Sequence, residues 1–167
     1  METIAYQLTQ ADLLAAQRLS LVASLRTKRL LRTYILGALI CGVGAGVLSW
    51  DDGWTAALSA ALLGALFWVI FLSLIYVSAY VQMPRRSRRV YAQQKSLQVP
   101  KQASWDAESL SLTSARGSYR FEWSDFLRIV ENDAAILLFQ SDALFNIIPK
   151  RALSAEQAAS IMRHAPR

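Results

Sequence analysis

Hydrophobic and polar positions fall into three regimes along this chain. From Tyr34 to Trp50 seventeen consecutive residues carry no charge, and from Trp54 to Met83 another thirty carry none. Only Asp51, Asp52 and Gly53 part the two runs. About 20 mostly apolar residues, rising ~1.5 Å each, cross a ~30 Å hydrocarbon core. The pattern therefore predicts a transmembrane hairpin with spans at 33–50 and 54–76 and a short acidic turn. The second run is longer than the hydrocarbon requires. Its last turns are expected to project beyond the membrane until Pro84 disturbs or ends the helix.

Ahead of the hairpin, "LTQADLLAAQRLSLVASLRTKRLLR" reads as a helix with Thr9 as N-cap and Asp12 at the third helical position, a capping-box spacing. Leu14, Leu21 and Leu25 share a face, but Arg18, Lys28 and Arg29 fall near it, so the docking partner of this helix stays open between the membrane surface and the soluble domain. From Ser104 the texture changes to period-2 alternation: "ESLSLTS", the turn "ARGS", "YRFEW", "FLRIV", "AAILLFQ" and "ALFNIIP". A terminal helix follows, with Ser154 as N-cap and Gln157 three residues on. The expected architecture is α+β: residues 1–32 an N-terminal helical segment, 33–83 the hairpin, 84–102 a basic collar and linker, and 103–167 an antiparallel meander of five or six strands with a C-terminal helix. So small a β domain has a thin core, and would gain from covering its open edge with the terminal helix, the N-terminal segment or another copy.

Composition agrees with the pattern. Charged residues make up 18% and apolar residues 54%, with a mean hydropathy of +0.26, on the apolar side of a soluble chain. A helix of a soluble core is rarely polar-free on every face for so long. A signal peptide would begin closer to Met1 than the first run does.

Charge gives the orientation. Arg18, Arg26, Lys28, Arg29 and Arg32 precede the first run; Arg85, Arg86, Arg88, Arg89 and Lys95 follow the second, and the turn carries only Asp51 and Asp52. Short flanks rich in Lys and Arg stay cytoplasmic, which predicts an inner-membrane protein with both termini inside. Trp50 and Trp54 bracket the turn and Tyr76 and Tyr80 sit towards the other end, as interfacial belts do. Arg29, Arg32, Arg85, Arg86, Arg88 and Arg89 are the candidate anchors to anionic lipid headgroups. Residues 1–103 hold 11 Lys and Arg against 4 Asp and Glu, net +7, whereas residues 104–167 hold 7 against 8, net −1. The β domain therefore lacks the basic footprint of a nucleic-acid module.

Small residues recur inside the runs. Gly42 and Gly46 form a GxxxG pair with Gly37 and Gly44 nearby; Ala57, Ala61 and Ala65 repeat every fourth residue, as do Ala60 and Gly64. Small residues four apart let helix backbones approach closely in lipid. Gly37, Gly42, Gly46, Ala57, Ala61 and Gly64 are thus the expected seam, first between the two spans and alternatively between copies in a homo-oligomer. No ionisable residue lies inside either run, which weighs against a transporter or pump; a pore formed by an oligomer stays open.

Candidate chemistry is sparse. The single histidine, His164, lies at the end of the terminal helix, where a cation is favourable, and the single cysteine, Cys41, lies mid-span. No nucleophile motif, phosphate-cradling loop or metal-ligand cluster can be built from this inventory, so neither enzymatic activity nor a cofactor is expected. Trp105 and Trp123 read as core residues. Pro149, Lys150 and Arg151 are a strand end that would leave two cations in solvent, or else form a basic lip facing headgroups or a partner.

The order of parts resembles the YcxB-like family of small bacterial membrane proteins. "FEWSDFLRIVEN", "AILLF" and "FNIIPKRALSAEQ" carry the resemblance, most specifically over residues 119–163. It implies a β domain similar to pleckstrin-homology-like modules, and it implies no activity. The Ala- and Gly-rich spans depart from the family's habit. The leading expectation is a non-catalytic inner-membrane protein whose cytoplasmic module binds a protein or a second copy of itself. The alternatives are an anionic-lipid-sensing module and an immunity protein against a toxin.

Overall fold

The computed structural model describes residues 2–25 and 27–164; Arg26, one of the flanking cations named above, lies outside them. The elements run β1 (Glu2–Tyr6), α1 (Gln10–Leu25), α2 (Lys28–Leu48), α3 (Trp54–Gln93), β2 (Lys101–Trp105), β3 (Ser109–Ser114), β4 (Gly117–Glu122), β5 (Arg128–Glu131), β6 (Ala135–Phe139), β7 (Phe145–Pro149) and α4 (Ala155–Arg163). The chain is α+β and forms two compact units: residues 22–82, and residues 1–21 together with 83–167.

The second of these units holds all the strands, in two antiparallel sheets ordered β1-β2-β3-β4 and β5-β6-β7. Short polar side chains close the turns locally. Asp106 accepts from the backbone N–H groups of Glu108 and Ser109 before β3. Gly117 takes a φ of +146° at the β3–β4 turn, a conformation open chiefly to glycine. Asn132 accepts from the N–H groups of Ala134 and Ala135 between β5 and β6. β6, "AILLF", is buried at all five positions, so it reads as a continuous apolar run instead of an alternating one. Around it gather Trp105, Leu110, Ile148 and Ile161, each at most 2% exposed. Ser154 and Gln157 form the predicted reciprocal capping box at the start of α4.

The sequence reading missed two strands. β1, which comes from before both apolar helices, pairs with β2 from Glu2 opposite Trp105 to Tyr6 opposite Lys101. Ile4 and Tyr6 are buried in the core, and Leu8 is 2% exposed. The N-terminal segment up to Leu21 is therefore part of the β domain, not of a separate helical one. Its partner strand is the non-local β2, and no local pattern in five residues reveals such a pairing. α1 starts where predicted: Asp12 accepts from the Thr9 N–H while Thr9 Oγ1 accepts from the Asp12 N–H. Its buried face is Asp12, Leu13 and Ala16, with Leu19 against the core; the predicted Leu14, Leu21 and Leu25 face is not the one that docks. Ala16, fully buried, is the small residue that permits the helix to approach.

α3 corrects a second expectation. It runs through Pro84 to Gln93, so the basic stretch is helix and not linker. An interior proline costs about 3 kcal/mol. Beyond it, Ser87 is fully buried, Val90 and Tyr91 pack against the β-domain core, and Tyr91 donates to the Leu8 carbonyl at 2.9 Å. These tertiary contacts hold the last turns helical.

The other unit consists of the end of α1, α2, the turn and α3 up to Gln82. α2 and α3 are each long and apolar enough to cross a membrane. A 3-10 turn, Trp50–Asp52, and Gly53 at φ +102° join them.

Candidate functional site

The four glycines singled out in the sequence each face the other apolar helix within the chain, Gly42 and Gly46 against Ala61 and Ala57. A methyl group placed on Gly42 would stand 3.0 Å from the Ala61 carbonyl oxygen, and one on Gly46 3.2 Å from that of Ala57. On Gly64 it would stand 2.6 Å from the Cys41 carbonyl oxygen, and on Gly37 it would overlap the Trp68 ring. Gly44 meets nothing within 4 Å. Tyr34 and Ser73 hydrogen bond at 3.3 Å across the same seam. This is the intramolecular packing form of the expectation.

The basic stretch of α3 is arranged differently from the cations of the β domain. Arg85, Arg86, Arg88 and Arg89 are all exposed, while Ser87 between them is buried. Arg29 and Arg32, at the start of α2, are also exposed.

"PKR" at 149–151 is not the free basic lip that one reading of the sequence allowed. Pro149 is fully buried. Lys150 pairs with Glu131 at 2.6 Å. Arg151 donates to Asp12 Oδ2 at 2.8 Å, to Oδ1 at 3.2 Å and to the Gln7 carbonyl at 2.6 Å. The sheet sets this up: β7 ends beside β6, a 3-10 turn spans Lys150–Ala152, and Arg151 is thereby aimed at the start of α1. Burial pushes the Asp12 carboxyl up. The Arg151 guanidinium and the Thr9 N–H and hydroxyl outweigh that and hold it below its ordinary value. Tyr6 reinforces the same junction by donating to the Ile147 carbonyl at 3.1 Å, and burial drives its phenol well above the ordinary range.

An open groove of about 610 Å³ runs along α4, lined by Glu131, Lys150, Leu153, Ser154, Ala155, Ala158, Ala159, Met162 and Arg163. At the end of that helix His164 stacks on Trp123, with ring centroids 4.4 Å apart and planes 8° from parallel. The Trp123 indole N–H donates to the Asp106 carbonyl at 3.0 Å. No sequence pattern signals this pairing, because the two rings are far apart along the chain. Trp105, as expected, is core: it is 2% exposed and its indole N–H reaches Ser160 Oγ at 3.3 Å. Cys41 lies half-buried in α2. Among the described residues no group of three or more His, Cys, Asp or Glu is placed to hold a metal ion.

These observations define an α+β protein with two long apolar helices and two antiparallel sheets. A family profile described as YcxB-like protein matches residues 105–165, so the chain carries a YcxB-like segment running from the end of β2 through α4. That match leaves β1, α1 and both apolar helices outside it. No curated protein and no solved structure matches the chain.

Proposed function

We propose that this chain is a non-catalytic bacterial inner-membrane protein. Its two apolar helices anchor a pleckstrin-homology-like module that engages a protein partner on the cytoplasmic side. The observation that carries the reading is the pairing of β1 with β2. One strand precedes both candidate spans and the other follows both, so a chain that crosses the membrane twice returns to the side it left. The Lys and Arg flanks, against an acidic turn, favour that side being the cytoplasm. Two antiparallel sheets with a C-terminal helix support the pleckstrin-homology-like reading of the module.

The groove along α4 is the surface best suited to a partner. Ala155 and Ala159 keep its wall low, and the Glu131–Lys150 pair and Arg163 supply polar groups around an apolar floor. A photo-crosslinking residue at Ala159 of the full-length protein, in native membranes, tests the reading. One discrete adduct, lost when Met162 is replaced by a bulky charged residue, is the expected result. No adduct at Ala159 in membranes where the protein is folded would overturn it.

A further inference from the structure

We propose that Arg85, Arg86, Arg88 and Arg89 form a ring that binds the phosphate groups of anionic lipids. The proposal rests on the membrane reading above and names a ligand class for one part of it.

Residues advance about 100° around a helix. With Ser87 buried towards the β domain, Arg86 and Arg88 stand on its two sides, and Arg85 and Arg89 lie together on the opposite face. All four arginines are thus exposed, two on the flanks of the helix and two on its outer face, while Ser87, Val90 and Tyr91 fasten the helix to the domain. The sequence offers them no partner on their own helix, because α3 contains no Asp or Glu. Arg85–Arg88, Arg86–Arg89 and Arg85–Arg89 are three- and four-residue neighbours of like charge, an unfavourable arrangement in an isolated helix. None of the four forms an ion pair among the described residues. Four cations of the β domain, by comparison, have partners: Lys150 and Arg151 are ion-paired, Arg128 stacks over Phe139 at 4.3 Å, and Arg120 donates to Ser109. A concentration of unpaired like charge of this kind is relieved by a surface of opposite sign.

The height of the ring fits lipid better than an acidic protein. With Trp54 at one interface and the hydrocarbon ending near Tyr76, Arg85 stands roughly 14 Å of helix beyond the apolar layer, just outside a headgroup layer ~5–7 Å deep, so that long side chains there can reach back to its phosphates. Arginine is suited to that layer, because its planar fork matches phosphate oxygens and its stem can reach back along the helix.

The test uses the full chain in detergent micelles containing equal phosphatidylglycerol and phosphatidylcholine, with retained lipid quantified after gel filtration. Micelles remove any effect of these charges on topology. Wild type is expected to retain phosphatidylglycerol in several-fold excess. The quadruple Arg→Gln variant at 85, 86, 88 and 89 should retain the two lipids about equally, and the quadruple Arg→Lys variant should keep part of the preference. Equal retention by wild type, or a preference unchanged in the Gln variant, would overturn the proposal. Circular dichroism on each variant verifies folding, and a salt titration of wild type gives the same answer without mutation: the preference should fall as salt rises. Separately, wild type in pure phosphatidylcholine vesicles should resist alkaline extraction. Release there would defeat the membrane reading whatever the lipid preference.

Discussion

Arg151 grips Asp12 through two nitrogens across 139 positions of sequence, and with the same side chain holds the Gln7 carbonyl. The clasp joins the first turn of α1 to the turn after β7. It explains why a segment that precedes both apolar helices belongs to the β domain.

Removing the cation should therefore loosen the N-terminal arm. Arg151→Ala leaves a buried carboxylate with only Thr9 as partner, and should destabilise the β domain by about 1–3 kcal/mol. Arg151→Lys should recover less than half of that, since an ammonium cannot serve two carboxylate oxygens and a carbonyl in one plane. Thermal unfolding followed by near-ultraviolet circular dichroism reads both. Equal stability of all three proteins would show the clasp to be incidental.

The same pair sets a pH dependence. The folded Asp12 carboxyl lies below its ordinary value, so the fold prefers the ionised form. Its stabilisation is complete above the unfolded pKa of about 4 and is lost as pH falls through the folded value. Wild-type stability should thus decline below about pH 4 more steeply than that of Asp12→Asn. Asp106, held low by the N–H groups of Glu108 and Ser109, acts with the same sign and leaves the variant some acid sensitivity.

Gly64 and Gly44 should respond oppositely to the same substitution. A methyl at Gly64 meets the Cys41 backbone, which cannot rotate away, so Gly64→Ala should cost about 1–3 kcal/mol of helix packing. Gly44→Ala meets nothing and should be neutral or stabilising by up to ~1 kcal/mol through helix propensity. Thermal stability in detergent separates the two; indistinguishable midpoints would remove the seam as drawn.

The YcxB-like segment should not fold alone. A fragment of residues 101–164 lacks β1, Leu8 and Leu13, all of which enter the core. It should show little near-ultraviolet dichroism and rapid proteolysis, whereas the full chain resists. A cooperatively unfolding fragment would show that β1 only decorates the sheet edge.

Topology has a direct readout. With Cys41 replaced by Ala, a cysteine at Asp51 should react with a membrane-impermeant maleimide from outside intact cells, and one at Ser141 only after lysis. The reverse pattern would invert the proposed orientation.

What the chain's pattern determined by itself was everything local. Thirty uncharged residues make a long helix because no face of it can prefer water, and "FLRIV", "AILLF" and "FNIIP" make strands bounded by turn residues. Ser154 with Gln157 and Thr9 with Asp12 cap helices through contacts three residues apart. Tertiary structure decided the rest, because the deciding partners are remote. "ETIAY" is a strand only because "KQASW", on the far side of two long helices, offers it a ladder. Pro84 fails to end α3 because Val90 and Tyr91 have a core to pack against. Lys150 and Arg151 look like free surface charge until the fold sets Glu131 and Asp12 beside them. Local periodicity fixes an element's type, whereas its edges, neighbours and charge partners depend on contacts that sequence spacing does not encode.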